Sequence, residues 1–237
     1  MRRLTKKSID ERLWLRFLRL QHRVERLIHN AIRDYADSLR RRLLRQVKFL
    51  DYNPNEEADI FWSLIEPQLI YAAERISELV DFTPDWSVYD AKISARLMRQ
   101  KRRIKWVTDY TWERLKKKLD EALEAGGSVG DMVKAIEEVV GELEFWRGER
   151  IARTEASAAV NGAFQEAAIA AGIEKKMWLA ALDERTRPTH AQAHGQIVGI
   201  NEPFLVGGYP MQFPADPSVN APEEVINCRC TIIVVYD

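Results

Sequence analysis

The sequence predicts an α+β protein: a long-helix N-terminal region followed by a compact C-terminal lobe with a helix and a small antiparallel sheet. Three observations carry this. From Leu13 to Val47 apolar residues step by three and four, the period of one helix face. Beyond Gly172 the texture changes, and the remainder holds most of the prolines and both cysteines. That remainder also contains the short apolar runs MWLAAL, QIVGI and TIIVVYD, which read as strands bounded by turn residues.

The first helix carries the stripe Leu13, Phe17, Leu20, Val24, Leu27, Ala31, Tyr35, Leu39, Leu43 and Val47, and no Gly or Pro interrupts it before Pro54. A second helix is expected over about residues 56–80, between NPNEE and DFTPDW, with Pro67 kinking or restarting it. A third spans about 88–125, with Ile93, Leu97, Ile104, Val107, Tyr110 or Thr111, Leu115 and Leu119 on its stripe, and stops at Gly126-Gly127. SVGDMVKAIEEVVG then predicts a short helix with Ser128 as N-cap and Asp131 closing a capping box. A fifth helix covers about 144–171; its alanine-rich stretch permits close approach to other elements, and Gly172 ends it. Two regions follow: a helical region at 1–144 and a lobe at 145–237. LVGGYPMQFPADPSVNAPEE is expected to be an ordered, irregular loop. Its Tyr209, Met211 and Phe213 either anchor a partner or cover the lobe's own core.

The formal net charge is zero, but the charge is blocked. Residues 1–50 carry 15 Lys/Arg against 5 Asp/Glu, and 51–89 carry 1 against 9. Residues 90–118 carry 11 against 3, and 119–146 carry 1 against 8. Such alternation predicts segments that fold on one another or faces that meet partners of opposite sign. The arginines of the first helix either form a solvated face whose stems cover apolar surface or contact nucleic acid or an acidic partner. Aromatic residues do not interleave with them, which argues against a specific single-strand binder. No window approaches the ~18 apolar residues of a membrane span. The basic N-terminus lacks the apolar core of a secretory signal. Two cysteines in one CxC do not make a disulfide framework, and a reducing compartment fits them.

Four segments carry the remaining information: RGERIARTEASAAVNGAF at 147–164, WLAALDERTRPTHAQAHGQIV at 178–198, FPADPSVNAPEEV at 213–225 and INCRC at 226–230. In this order and spacing they resemble the Mu F-like family of phage minor head, or head morphogenesis, proteins. The resemblance rests on Arg147, Arg153, Thr154, Glu155, Asn161, Gly162, Trp178, Asp183, Arg185, Thr186, His190, Gly195, Asn227, Cys228, Arg229 and Cys230. It implies a structural, non-enzymatic component of the virion, assembled in the host cytoplasm, that associates with the portal protein and assists head assembly and DNA packaging or delivery. Capsid or scaffold proteins are further expected partners, packaged DNA is an expected contact of residues 12–45, and no membrane is involved in the mature head.

The chemistry of the site is open at this level. Cys228 and Cys230, two apart, face the same side of an extended segment. With His190 and His194 they offer a zinc set; some relatives have C-P-x-C where this chain has Arg187-Pro188-Thr189-His190. Otherwise the thiols pack as small hydrophobes beside a core histidine and no cofactor is bound, or they form a strained CxC disulfide. Arg153, Asp183 and Arg185 are expected to form charge-assisted pairs that tie the lobe to the fifth helix, with Glu155 joining them. The rival readings are a metal-dependent nuclease built on His190, His194 and Asn227 and a non-specific DNA-binding protein. Ribosyl transfer is disfavoured because Glu223 and Glu224 are adjacent rather than spaced as E-x-E.

Overall fold

A computed structural model of the chain describes residues 11–47, 51–79 and 86–235. The basic tip, most of the DFTPDW turn and the last two residues of TIIVVYD lie outside the described residues. Helix α1 (Glu11–Arg45) buries the predicted stripe from Phe17 to Leu43 except Leu27, which is only partly buried, and fills its place with Ile28, Ile32 and Ala36. Helix α2 (Pro54–Leu79) opens with Pro54 in its first turn, where a missing N–H costs nothing. It runs unbroken through Pro67, so the helix does not restart there. Pro67 and Ser63, one turn earlier, lie on the solvent face, where water satisfies the carbonyl that proline frees.

Helix α3 (Trp86–Glu124) ends at Gly126, whose φ of +70° suits a left-handed stop. Thr111 is buried in its stripe, while Tyr110 faces outward. Helix α4 (Val129–Glu144) has the predicted box: Asp131 N donates to Ser128 Oγ and Ser128 N to Asp131 Oδ2. Phe145 interrupts the chain, so α5 (Trp146–Ala170) starts two residues later than expected.

Helix α5 is the centre of the molecule. Its small residues Ala152, Ala156, Ala163 and Ala167 are buried, which lets α1, α2, α3 and α4 all approach it. Phe17 of α1 meets Phe164 edge-on, with centroids 5.3 Å apart. One continuous apolar core runs from α1 through α5 to the C-terminal strand.

The alternating charge blocks close on one another. Arg40 reaches Asp37, Glu137 and Glu144, Arg42 reaches Glu57, and Lys101 reaches Asp59. Arg114 and Lys118 pair with Glu142 and Glu138.

The lobe holds a three-stranded antiparallel sheet with β1 (Lys175–Leu179) between β2 (Ile197–Gly199) and the last strand, β5 (Thr231–Val235). Short helices α6 (Pro188–Ala193) and α7 (Pro222–Val225) flank it. The segment read as an irregular loop contains a hairpin of β3 (Phe204–Val206) and β4 (Tyr209–Met211). Gly207 and Gly208 turn it, both at positive φ, the two-residue geometry matched to strand twist. Met211 and Phe213 are buried in the core rather than exposed. Arg96 lies 4.5 Å over the Phe213 ring.

Candidate functional site

The lobe is fastened to α5 on either side of the Cys228–Cys230 pair. Arg153 Nη1 donates to Asn227 Oδ1 at 2.7 Å, and its Nη2 lies 3.0 Å from Glu25 Oε1 of α1. Thr154 Oγ1 accepts the Asn227 backbone N–H at 2.8 Å. These bonds hold Asn227 at φ +62°, a conformation that asparagine tolerates better than most residues. Asn161, fully buried about two turns further on, donates to Cys230 O and accepts from Ile232 N at 3.0 Å. Its amide occupies the free edge of β5 as a neighbouring strand would.

The expected network of Arg153, Asp183 and Arg185 divides into separate parts. Arg153 turns to Asn227 and Glu25, so Asp183 is not its partner. Asp183 forms a two-pronged pair with Arg229, between the two cysteines. That contact holds its carboxyl below the usual range, against the opposing effect of desolvation. Arg185 contributes only its backbone N–H, to Asp183 Oδ1, and its side chain is exposed. Glu155 faces away from Arg153, because successive helix positions diverge by about 100°. It is buried, and its Oε2 takes Gln100 Nε2 and Arg103 Nη2 of α3, both at 2.8 Å.

Three of the four predicted metal ligands meet. His190 Nδ1 lies 3.2 Å from Cys230 Sγ and 3.7 Å from Cys228 Sγ. All three residues are buried. On the other side of the ring, Nε2 lies 2.9 Å from Glu224 Oε2, which Thr189 Oγ1 also holds at 2.8 Å. A Cβ on Gly207 would fall 2.3 Å from Glu224 Oε1, so the hairpin glycine makes room for this carboxylate.

His194 does not join. Its Nδ1 accepts the Ala180 N–H at 3.1 Å, and burial lowers its pKa. Both cysteines are free thiols, so the disulfide alternative is not realised. Burial alone would raise the Cys228 thiol, but hydrogen bonds from Cys230 and His190 outweigh it and hold it at about 5. The bond to Cys228, together with burial, pushes the Cys230 thiol up. The nuclease constellation is not assembled, since His190 is enclosed beside the thiols and His194 is bonded to the backbone elsewhere.

A groove of about 710 Å³ borders the clamp, with Thr154, Glu155 and Ile226 in its wall. Trp106 and Trp146 line it while remaining 65% and 50% exposed. Arg147, only 7% exposed, stacks 4.8 Å under Tyr110 and donates to Thr111 Oγ1 at 3.2 Å. Its Nη1 has no hydrogen-bond partner, and burial lowers its pKa. The sequence reading missed this groove, although Trp106 falls off the α3 stripe and the aromatic pair Phe145-Trp146 stands at the start of the fifth helix. It also missed Glu224, for which contact with a histidine 34 positions away leaves no local signal.

A family model described as Phage Mu protein F like protein matches residues 113–233. Over 116 residues the chain is 35% identical to NAD(+)–arginine ADP-ribosyltransferase EFV of Enterococcus faecalis (strain ATCC 700802 / V583), covering 47% of this chain and 23% of that protein. Over 65 residues it is 38% identical to minor head protein GP7 of Bacillus phage SPP1, covering 27% of this chain and 20% of that protein. Over 135 residues it is 32% identical to an uncharacterized protein of Haemophilus influenzae, covering 56% and 27%. Each match spans roughly a quarter of the relative's length. No solved structure matches the chain. The matched region contains both sides of the fastening, from Arg153 and Asn161 on α5 to Asn227 and Arg229 before β5, and the chain belongs to the Phage Mu protein F like family of phage head proteins.

Proposed function

We propose that the chain is a portal-associated minor head protein that assists head assembly and DNA packaging or delivery and has no catalytic activity. Its place is the virion. No helix among the described residues is long and apolar enough to cross a membrane. The observation that carries the reading is the groove beside the clamp: exposed tryptophans around a buried arginine that lacks a full set of acceptors. That chemistry fits a partner segment with an apolar side chain and a carboxylate, supplied by the portal protein. Residues 145–237 supply the lobe and the helix it grips, and residues 1–144 the helical region whose α3 shapes the far wall of the groove.

DNA contact through residues 12–45 falls to the solvent-facing arginines. Arg40 and Arg42 are already engaged within the chain, whereas Arg16, Arg19, Arg26, Arg33, Arg41 and Arg45 are exposed on α1. The likeness to a ribosyltransferase covers under a quarter of that enzyme, and here Glu224 is buried against His190, which supports a structural role for this acid.

The test is capture of portal and capsid proteins from the same source by the intact chain, compared with Trp106→Ala and Trp146→Ala. Portal capture that falls about tenfold in the variants is the expected result. Absence of portal among the captured proteins, or capture unchanged in both variants, overturns the reading.

A further inference from the structure

The cluster at His190 is arranged as one face of a metal tetrahedron. Its three donor atoms lie within 4.8 Å of one another. With zinc–sulfur near 2.3 Å and zinc–nitrogen near 2.0–2.1 Å, a tetrahedral site has nitrogen–sulfur edges of about 3.5 Å. The observed 3.2 and 3.7 Å bracket that value. A histidine that binds metal through one nitrogen commonly donates the other N–H to a carboxylate. Here Glu224 Oε2 stands 2.9 Å from Nε2, within ion-pair distance, and Nε2 has no hydrogen-bond partner, so a small turn of the ring would complete that bond; the carboxylate is itself fixed by Thr189. Asn161 grips the Cys230 carbonyl and Arg153 grips Asn227, so the cysteine segment is positioned from outside the cluster.

We propose that His190 Nδ1, Cys228 Sγ and Cys230 Sγ bind one zinc ion, with Glu224 as the outer carboxylate that orients the imidazole. A water molecule completes the four-coordinate shell. The ion staples α6 to the segment entering β5, joining positions 38 and 40 residues apart in the chain. Binding exchanges protons for metal: both cysteines coordinate as thiolates, and the thiol protons they give up pass to solvent. His194 is not a ligand, because its Nδ1 lone pair already accepts the Ala180 N–H. The proposal is independent of the head-protein reading, since it concerns how the lobe closes rather than what it meets.

The test uses the full chain purified under reductant. Zinc content measured by mass spectrometry is expected at about one ion per chain, retained by His194→Ala and lost by Cys228→Ser and Cys230→Ser. Cobalt(II) added to zinc-stripped wild-type protein is expected to give a thiolate-to-metal charge-transfer band and a visible band of tetrahedral cobalt. A chelator is expected to lower the melting temperature of wild type and leave His194→Ala equally affected. Folded wild-type protein that contains no zinc, gives no thiolate–cobalt band and melts identically with zinc and with chelator overturns the proposal. So does loss of zinc in His194→Ala. The cobalt spectrum is read on the wild-type chain, so the result stands even where a cysteine variant fails to fold.

Discussion

The helical body and the C-terminal lobe are held together by different physics. In the body, α1 to α4 meet through apolar stripes, and pairs such as Arg40 with Glu137 and Lys118 with Glu138 line the rims. In the lobe, strands of three to five residues are positioned by side chains bonded to backbone: Asn161 on β5, Thr154 on Asn227 and Arg187 on Ile226. Apolar burial is non-directional and tolerates small shifts, whereas a buried amide is costly unless its partners sit in one place. The body therefore sets stability and the lobe sets position. Helix α5 belongs to both, with its small residues in the body and its Arg-Thr and Asn side chains gripping the lobe.

The largest effect expected from breaking this division is in the body. Phe61 is fully buried and stacked on Tyr35 at 4.4 Å, so Phe61→Ala should cost about 3–5 kcal/mol in denaturant unfolding. Asn161→Ala comes next, at about 3 kcal/mol, because it strands buried backbone groups of β5. Hydrogen exchange at the Ile232 amide should accelerate in this variant while α2 amides keep their protection; uniform acceleration would mean the two regions unfold as one unit. Arg153→Ala should cost about 1–2 kcal/mol through the loss of Asn227 and Glu25.

Smaller still is Arg40→Gln, at about 1 kcal/mol or less and shrinking with added salt. Arg41→Gln and Arg45→Gln should change stability by no more than about 0.5 kcal/mol, so any defect they cause in DNA retention reports on contact rather than folding. A pH titration separates the regions without truncation. Burial lowers the Lys176 ammonium to about 8, and its Nζ is held by Gln165 and Gln212. Above that pH the folded lobe has released a proton that the unfolded chain still binds, so the Lys176 contribution to stability rises with pH. The difference between wild type and Lys176→Met should therefore grow in favour of wild type from pH 8 to 9.5. This window lies below the range where Tyr35 and Tyr52, both raised chiefly by burial, act in the opposite sense. A flat difference would place the lysine in contact with solvent.

The helices were legible because their information is local and repeated. The stripe of α1, the stop at Gly126 and the Ser128 cap each follow from residues within one or two turns of each other. Whether Pro67 restarts its helix was not legible, because that depends on which face it occupies, and the hairpin was missed although Gly207-Gly208 marks its turn. Of the site, the grouping of His190 with Cys228 and Cys230 was readable from residue type, but the exclusion of His194 was not. Nothing in the chain near His194 announces that its Nδ1 will accept from Ala180.

The sequence by itself determined the order of elements, the buried faces of the long helices, the family motifs and the meeting of opposite charge blocks, because periodicity and composition are properties of neighbouring residues. Only the tertiary structure decided which arginine meets which acid, that Arg153 holds Asn227 while Asp183 holds Arg229, that Glu224 stands behind His190, and that exposed tryptophans from α3 and α5 face one groove. Those pairings depend on distances and directions between segments far apart in the chain, fixed only when the shared core around α5 has closed.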